Sequence, residues 1–137
     1  MGRWLFRRLI GRMVPYSGTI HPEVVELGPG RAVVRIRDRR GIRNHLSSIH
    51  AVALVNLGEM ASGLAMITLL PAEVRAIVVS LHTEYVKKAR GTLTAETSVA
   101  VSLPIQGPTR QEVQARIRDS EGDEVALVRA EWLLDLR

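Results

Sequence analysis

The sequence lacks cysteine altogether and holds few aromatic residues, and each shortage excludes classes of protein. None of the 137 residues is cysteine, which excludes a disulfide framework, a thiol nucleophile, a cysteine-based zinc site and an iron–sulfur cluster. Two Trp, two Tyr and one Phe leave little aromatic surface for stacking on nucleic-acid bases. With 46% apolar and 24% charged residues, the remaining composition is that of an ordinary globular domain.

Positive charge is concentrated in the first third of the chain. The formal net charge is +5, but residues 1–45 carry ten basic and three acidic side chains, whereas residues 46–137 carry nine and eleven. This distribution, together with the shortage of aromatic residues, argues against nucleic acid as a partner. The absence of cysteine fits a reducing compartment, and we expect a cytoplasmic protein.

Residues 3–13 form a short, basic, amphipathic segment. Apolar residues such as Trp4 alternate with arginines at helical spacing, and the apolar run is too short and too charged for a secretory signal. We therefore divide the chain into an N-terminal amphipathic helix over residues 1–14 and a single domain over residues 15–137. Two interpretations of the helix remain open: it packs on the domain, or it makes a weak peripheral contact with an anionic membrane surface.

The rest of the pattern predicts one long apolar helix and six strands. In residues 49–70 Glu59 is the only acidic or basic side chain apart from a histidine, and such a segment suits a buried helix of a soluble protein better than a bilayer span. Ser47 and Ser48 are its candidate N-caps, and Pro71 ends it. The predicted strands are residues 19–27, 31–37, 75–88, 92–103, 111–119 and 124–136. This order indicates an α+β fold with an antiparallel six-stranded sheet wrapped around a long buried helix.

The start of the predicted helix resembles the signature of a known family. Residues 44–59 read Asn-His-Leu-Ser-Ser-Ile-His-Ala-Val-Ala-Leu-Val-Asn-Leu-Gly-Glu. The spacing of Asn44, His50 and Glu59 is similar to that of hotdog-fold acyl-CoA thioesterases of the phenylacetic-acid-pathway type. In that signature a His lies six residues after an Asn, and an acid lies nine residues after the His.

A second segment strengthens the resemblance. Residues 79–91 run through Tyr85 to a basic turn and a glycine, as the corresponding strand of that family does. The pattern departs from the family where two glycines follow the signature His, because Ala51 and Val52 stand there, and the turn lacks the family's proline. The resemblance covers about residues 19–136 and points to an uncharacterised branch of the family.

The resemblance implies a hotdog fold and a thioester substrate, and the residues supply the chemistry. Thioester hydrolysis needs an activated water or nucleophile and a donor to the developing oxyanion. The backbone N–H of Ala51, in the first turn of the predicted helix, is free for the donor role. Glu59 is the general base or nucleophile, because burial on an apolar helix raises a carboxyl pKa toward neutrality. Asn44 positions water or substrate, and His50 organises the loop around this catalytic group.

Further residues are predicted to bind the substrate. Basic residues of the second segment are candidates for the phosphates of coenzyme A, and polar residues three positions from Glu59 share its helix face. The predicted substrate-binding residues are Val52, Asn56, Ser62, Ser80, Tyr85, Lys87, Lys88 and Arg90. Ser80 is expected on the same strand face as Val78. The histidines show no metal-ligand spacing with acids, so we expect no metal, and no cofactor beyond the coenzyme A of the substrate.

The separation of Ala51 and Glu59 predicts a site shared by two subunits. Eight residues of helix span about 12 Å at about 1.5 Å per residue, which is too far for both to reach one thioester. Two antiparallel helices from two subunits remove the difficulty, so we expect a homodimer or a pair of dimers. Three alternatives to a thioesterase remain. The first is a non-catalytic acyl-CoA or fatty-acyl binder, which Ala51 and Val52 favour. The others are a hotdog enoyl hydratase or dehydratase, although its Pro- and Gly-rich loop is missing here, and a basic nucleic-acid binder.

Overall fold

The computed structural model describes residues 14–137 and contains the six strands and the long helix that the sequence predicts. The elements are α1 (Pro15–Gly18), β1 (Glu23–Gly28), β2 (Arg31–Ile36), a short 3-10 helix (Arg40–Ile42), α2 (Ala51–Ile67), β3 (Val74–Tyr85), β4 (Leu93–Ser98), β5 (Thr109–Arg118) and β6 (Glu124–Leu136). The predicted amphipathic helix over residues 1–14 lies, apart from Val14, outside the described residues.

The six strands form one antiparallel sheet in the order β1-β2-β4-β5-β6-β3. Helix α2 lies across one face of this sheet and packs mainly on β2, β4, β5 and β6. The helix and the strand side chains that face it form the main core, which contains Leu57, Ala61, Val34 and Ile117, all almost fully buried. The α+β prediction is confirmed, and the architecture is the hotdog fold.

Helix α2 begins two residues later than predicted. Neither Ser47 nor Ser48 caps it: the N-cap is His50, whose Nδ1 accepts a hydrogen bond from the Val52 N–H at 3.1 Å. The prediction of a serine cap is therefore wrong, because His50 supplies the acceptor at the position where the backbone turns from extended to helical. Within the described residues no helix has the length and apolar character needed to cross a bilayer.

The far end of α2 is tied to the turn between β1 and β2. Thr68 follows the last helical residue, and its hydroxyl donates to the Ala65 carbonyl at 2.6 Å and accepts the Gly30 N–H at 2.8 Å. Gly30 has a positive φ of 71°, and a Cβ there would overlap the Val99 carbonyl, so only glycine fits this turn. The helix consequently ends three residues before the predicted limit at residue 70.

Strands β1 and β4 are much shorter than their sequence pattern predicts, and β3 ends at Tyr85 rather than at residue 88. The predicted strand over residues 19–27 begins at Glu23, because the chain is still turning out of α1 at Thr19 and His21. The alternation in residues 92–103 continues to residue 103, but β4 ends at Ser98. Ser98 lies opposite Arg31, the first residue of β2, so the chain beyond it has no neighbouring strand on that side.

Gly58 allows α2 to lie close to the sheet, and its replacement tests how tightly the two pack. A Cβ at Gly58 would overlap the branched side chain of Val128 on β6. We expect Gly58→Ala to lower the free energy of unfolding by about 1–3 kcal/mol, the usual cost of overpacking, despite a gain of about 1 kcal/mol in helix propensity. Urea unfolding followed by circular dichroism measures this. Gly107→Ala, whose Cβ would meet nothing within 4 Å, is the control, and equal stability of the two variants would contradict close packing at Gly58.

Candidate active site

A tight loop immediately before α2 is organised by Asn44. The Asn44 side-chain oxygen accepts hydrogen bonds from the N–H groups of Leu46 at 2.9 Å and Ser48 at 3.1 Å, and the Asn44 N–H donates to the Ser48 carbonyl at 2.8 Å. Ser47 adopts a positive φ of 56° inside this loop, a backbone conformation that non-glycine residues rarely hold. Asn44 therefore fixes the approach of the chain to the helix start, where the predicted oxyanion donor lies.

The first backbone N–H of α2 is available to a ligand. The Ala51 N–H has no hydrogen-bond partner among residues 14–137, whereas the next N–H, that of Val52, is taken by His50. Ala51 is exposed, and the helix dipole adds positive potential at this end. The predicted role of Ala51 as an oxyanion donor requires such a free N–H group, and His50 is the cap that orders the helix start.

A cleft of about 330 Å³ opens beside Ala51 and gathers several of the predicted site residues. One wall is the loop and first turn of α2, and the other is the end of β3 with the segment that follows it. Tyr85 joins the two walls, because its hydroxyl donates to the Ala51 carbonyl at 3.0 Å. The lining residues are Asn44, Leu46, Ser48, Ile49, Ala51, Leu54, Tyr85, Val86, Lys87, Lys88 and Ala89.

Ser48 is a residue of this cleft that the sequence reasoning placed only as a helix cap. It is 4% exposed, and its buried hydroxyl has no hydrogen-bond partner within residues 14–137. A buried hydroxyl without a partner is costly, so a water or ligand atom is expected to satisfy it. Its position two residues before the signature His50 is the only sequence signal that marks it.

The two lysines of the cleft differ in their surroundings. The Lys87 ammonium contacts Asp119 at 2.7 Å, Asp123 at 2.8 Å and Glu121 at 3.9 Å, and hydrogen bonds to these aspartates raise the pKa of Lys87. Lys88 is exposed and forms no ion pair with any described residue. Lys87 therefore holds the β5–β6 turn, and Lys88 is the free cation at the cleft.

Three carboxylates around Lys87 lie close enough together to be considered as metal ligands. Oxygens of Asp119, Glu121 and Asp123 lie within 4.8 Å of one another, and the Asp119 side chain also accepts two backbone N–H groups of its own turn, each at 3.0 Å. The Lys87 ammonium offsets part of the negative charge of this cluster, and its hydrogen bond lowers the pKa of Asp119. These contacts describe a turn held together by Lys87 and by its own backbone N–H groups.

Glu59 lies two turns further along α2, away from the cleft. It is half-buried, and burial raises the pKa of its carboxyl. Neither the carboxyl of Glu59 nor the side chain of Asn56, which is 8% exposed, has a hydrogen-bond partner among residues 14–137, although the Glu59 backbone carbonyl accepts one from Ser62. A desolvated carboxyl without a local partner is typical of a functional group, and the separation of about 12 Å from Ala51 follows from the helix rise.

Three other predicted residues occupy different surroundings. Val52 is 51% exposed in the first turn of α2. Ser62 is fully buried, donates to the Glu59 carbonyl at 2.7 Å and accepts the Trp132 indole N–H at 3.1 Å, so its hydroxyl is occupied within the core. Arg90 is exposed beside the cleft but does not line it.

Ser80 does not share a face with Val78, which corrects the expectation from strand alternation. A bulge between them places Val78 opposite Trp132 and Ser80 opposite Glu131 on β6. Trp132 faces the helix side of the sheet and Glu131 the outer side, so the bulge turns Ser80 to the outer side. The structure does not bring Ser80 to the cleft or to Glu59.

Strand β3 is an edge of the sheet and carries exposed apolar side chains. It pairs with β6 on one side and has no described strand on the other. Ile77, Val79 and Leu81 are 54%, 42% and 43% exposed. A long apolar edge strand left open is an aggregation hazard, and natural proteins cover or pair it.

The strand order and the long helix packed on the sheet define a hotdog-fold protein. The family model described as "domain of unknown function (DUF4442)" matches residues 2–134, so the chain belongs to that family. No curated protein matches the sequence.

Solved structures show the same fold. The structural-genomics protein APC5556 is 29% identical with a TM-score of 0.89, covering 100% of this chain and 92% of its own. A Pseudomonas aeruginosa protein, PA5026, described as a probable thioesterase, is 21% identical with a TM-score of 0.84, covering 100% and 97%. The thioesterase HI1161 of Haemophilus influenzae is 14% identical with a TM-score of 0.83, covering 99% and 92%.

Proposed function

We propose that the protein is an acyl-CoA thioesterase whose active site is shared by two subunits of a homodimer. The observation that carries the proposal is the pairing of a free Ala51 N–H in a cleft with a desolvated Glu59 on the same helix. One group suits a developing oxyanion and the other suits proton transfer. Because about 12 Å of helix separates them, each site needs Ala51 of one subunit and Glu59 of the other.

The exposed edge of β3 supplies the means of assembly. Antiparallel pairing of two β3 edges about a two-fold axis continues the sheet and keeps both α2 helices on one face. The part of α2 that carries the half-buried residues Val55 and Glu59 then lies against the partner subunit. The apolar edge residues Ile77 and Leu81 become buried in the same step, which stabilises the dimer.

The chemistry follows from this placement. The thioester carbonyl oxygen accepts the Ala51 N–H, and the helix dipole stabilises its negative charge as the carbonyl carbon becomes tetrahedral. Glu59 either removes a proton from the attacking water or attacks the carbonyl carbon itself, and the coenzyme A thiolate then leaves. In a single turnover in isotope-labelled water, label in the Glu59 carboxylate identifies the anhydride route with water attacking the glutamyl carbonyl carbon, because the general-base route puts the label only in the product acid.

A panel of acyl-CoA esters with a thiol-detecting reagent tests the function. Release of free coenzyme A, in proportion to the concentration of dimer, is the expected result. The alternative of a non-catalytic acyl binder rests on Val52, which is half-exposed and stands where the thioesterase signature has a glycine. Thermal stabilisation by acyl-CoA without thiol release would favour that alternative and overturn the thioesterase.

The neighbouring lysines provide a matched test of coenzyme A recognition. We expect Lys88→Met to raise KM for an acyl-CoA about fivefold, which corresponds to about 1 kcal/mol for one exposed charge pair. Lys87→Met removes the same charge, but Lys87 is held by Asp119 and Asp123, so KM should change less than about twofold. Steady-state kinetics with an acyl-CoA, and with an N-acetylcysteamine thioester that lacks phosphates, measures both. An equal rise in KM for the two variants would contradict this assignment.

A further inference from the structure

A second cavity, of about 450 Å³, lies at the other end of α2. It opens between the last turns of the helix and the paired strands β3 and β6, and most of its lining is apolar. The principal lining residues are Gly63, Met66, Ile67, Leu70, Val74 and Trp132. Its charged lining residues, Arg75 and Arg137, are both exposed and so belong to the mouth. Volume and lining match those of small-molecule pockets.

The cavity adjoins the proposed catalytic carboxyl. Gly63 follows Glu59 by four residues, so the two share a helix face and lie about 6 Å apart along the axis. Because Gly63 has no side chain, the Trp132 ring packs directly against the helix backbone there, and a Cβ at Gly63 would lie 3.1 Å from the ring. The hydrogen bond from the Trp132 indole N–H to Ser62 fixes this ring as a rigid apolar surface.

In the proposed dimer this cavity meets the cleft of the partner subunit. Antiparallel pairing centred near the middle of β3 places the Val74 end of one strand beside the Tyr85 end of the other. Val74 lines the apolar cavity and Tyr85 lines the polar cleft. The two spaces therefore form one path across the interface, with Glu59 between them.

We infer that the apolar cavity is the acyl-chain compartment and that the substrate is a thioester of an unsubstituted aliphatic acyl chain. This rests on the proposed function, because the thioester carbonyl between Ala51 and Glu59 sets the point from which the chain extends. The coenzyme A part of the substrate occupies the cleft, where Lys88 is the free cation. The acyl chain passes Gly63 and enters the apolar cavity, whose charged lining residues lie only at the mouth. A polar or charged acyl group would lose its hydration there without gaining partners.

The dependence of rate on chain length tests the inference. Each methylene that the cavity buries should raise kcat/KM about fourfold, the factor that about 0.8 kcal/mol per methylene gives, until the cavity is full. Ile67, which is 66% exposed, can be enlarged at little cost to folding, and Ile67→Phe should shorten the optimal chain. Leu27→Phe, at a 41% exposed residue of β1, is the matched control and should leave the profile unaltered. A flat profile in the wild type, or equal profiles in both variants, would overturn the inference.

Binding without turnover separates this inference from the proposed function. The sequence has two tryptophans, so in Trp4→Phe protein all tryptophan fluorescence comes from Trp132, the wall of the cavity. Decanoic acid brominated at its terminal carbon should quench this fluorescence by heavy-atom contact, and less so in the Ile67→Phe background. Quenching without hydrolysis of any thioester would support the compartment and overturn the thioesterase. Hydrolysis without quenching would support the thioesterase and overturn the acyl-chain compartment. If neither quenching nor hydrolysis is observed, both proposals are overturned.

Discussion

Glu59→Gln is expected to lower the rate of thioester hydrolysis at least ~100-fold while the protein stays folded and assembled, since removal of a general base has effects of about 10²–10⁴-fold. Glutamine keeps the shape of the side chain but can neither accept a proton nor form an anhydride. Glu59 is the only acidic or basic side chain of α2, and its carboxyl has no hydrogen-bond partner among residues 14–137. Stopped assays of thiol release at saturating acyl-CoA measure the loss.

Stability and pH dependence serve as controls for this variant. Burial raises the pKa of the folded Glu59 carboxyl above its unfolded value, so the protonated form is favoured by folding and the contribution of Glu59 to stability declines as pH rises through that pKa. Glu59→Gln should therefore be no less stable than the wild type at neutral pH. Wild-type activity should fall as pH drops through the raised pKa. Glu112→Gln, at an exposed residue of β5, should leave rate and pH profile unchanged, and a Glu59→Gln rate within a few-fold of wild type would remove Glu59 from the mechanism.

Mixed dimers of two inactive variants are expected to recover activity. Ala51→Pro removes the proposed oxyanion donor, and the structure accommodates proline there: His50 has φ −60° and ψ 139°, a conformation allowed before proline, and the first helical position tolerates proline. Each homodimer lacks one part of both sites. A mixed dimer with Glu59→Gln has one site without either part and one complete site, so random mixing should restore about a quarter of wild-type activity in a two-fold symmetric dimer.

The mixing experiment needs assembled and verified dimers. Co-expression with two affinity tags and sequential purification isolates the mixed species, which should then show about half of the wild-type activity per dimer, because one of its two equivalent sites is intact. Each variant purified alone supplies the baseline, and the far-ultraviolet circular dichroism of Ala51→Pro shows whether α2 is retained. Inactive mixed dimers with intact α2 would argue against a shared site, and activity from a stable monomer would exclude it.

Sequence periodicity was sufficient for the elements of this fold because those signals are local. The strand predicted over residues 124–136 coincides with the observed limits of β6, and the apolar run around Glu59 predicted α2 to within three residues at each end. One wall of the cleft could also be predicted from the sequence. Asn44, His50 and Ala51 lie within eight residues of one another, so a loop followed by a helix start brings them together without any distant contact.

Contacts between distant residues decided what the local pattern left open. The sequence alone does not distinguish the adjacent residues Lys87 and Lys88. In the structure only Lys87 of these two donates hydrogen bonds to Asp119 and Asp123, which lie 32 and 36 residues away in the chain. The bulge at Val79 reversed the face of Ser80, because strand parity depends on the register with β6 and not on β3 alone.

The apolar cavity beyond Glu59 also required the tertiary structure. Its wall is Trp132, held by Ser62 from 70 residues away, and no spacing rule links the two. The sequence by itself determined the helix, the strands and the helix-start groups, since each depends on the order of neighbouring residues. Only the packing of β6 and β3 against α2 decided which cation is free, which face each strand residue takes, and where an acyl chain has room, because these depend on residues far apart in the chain.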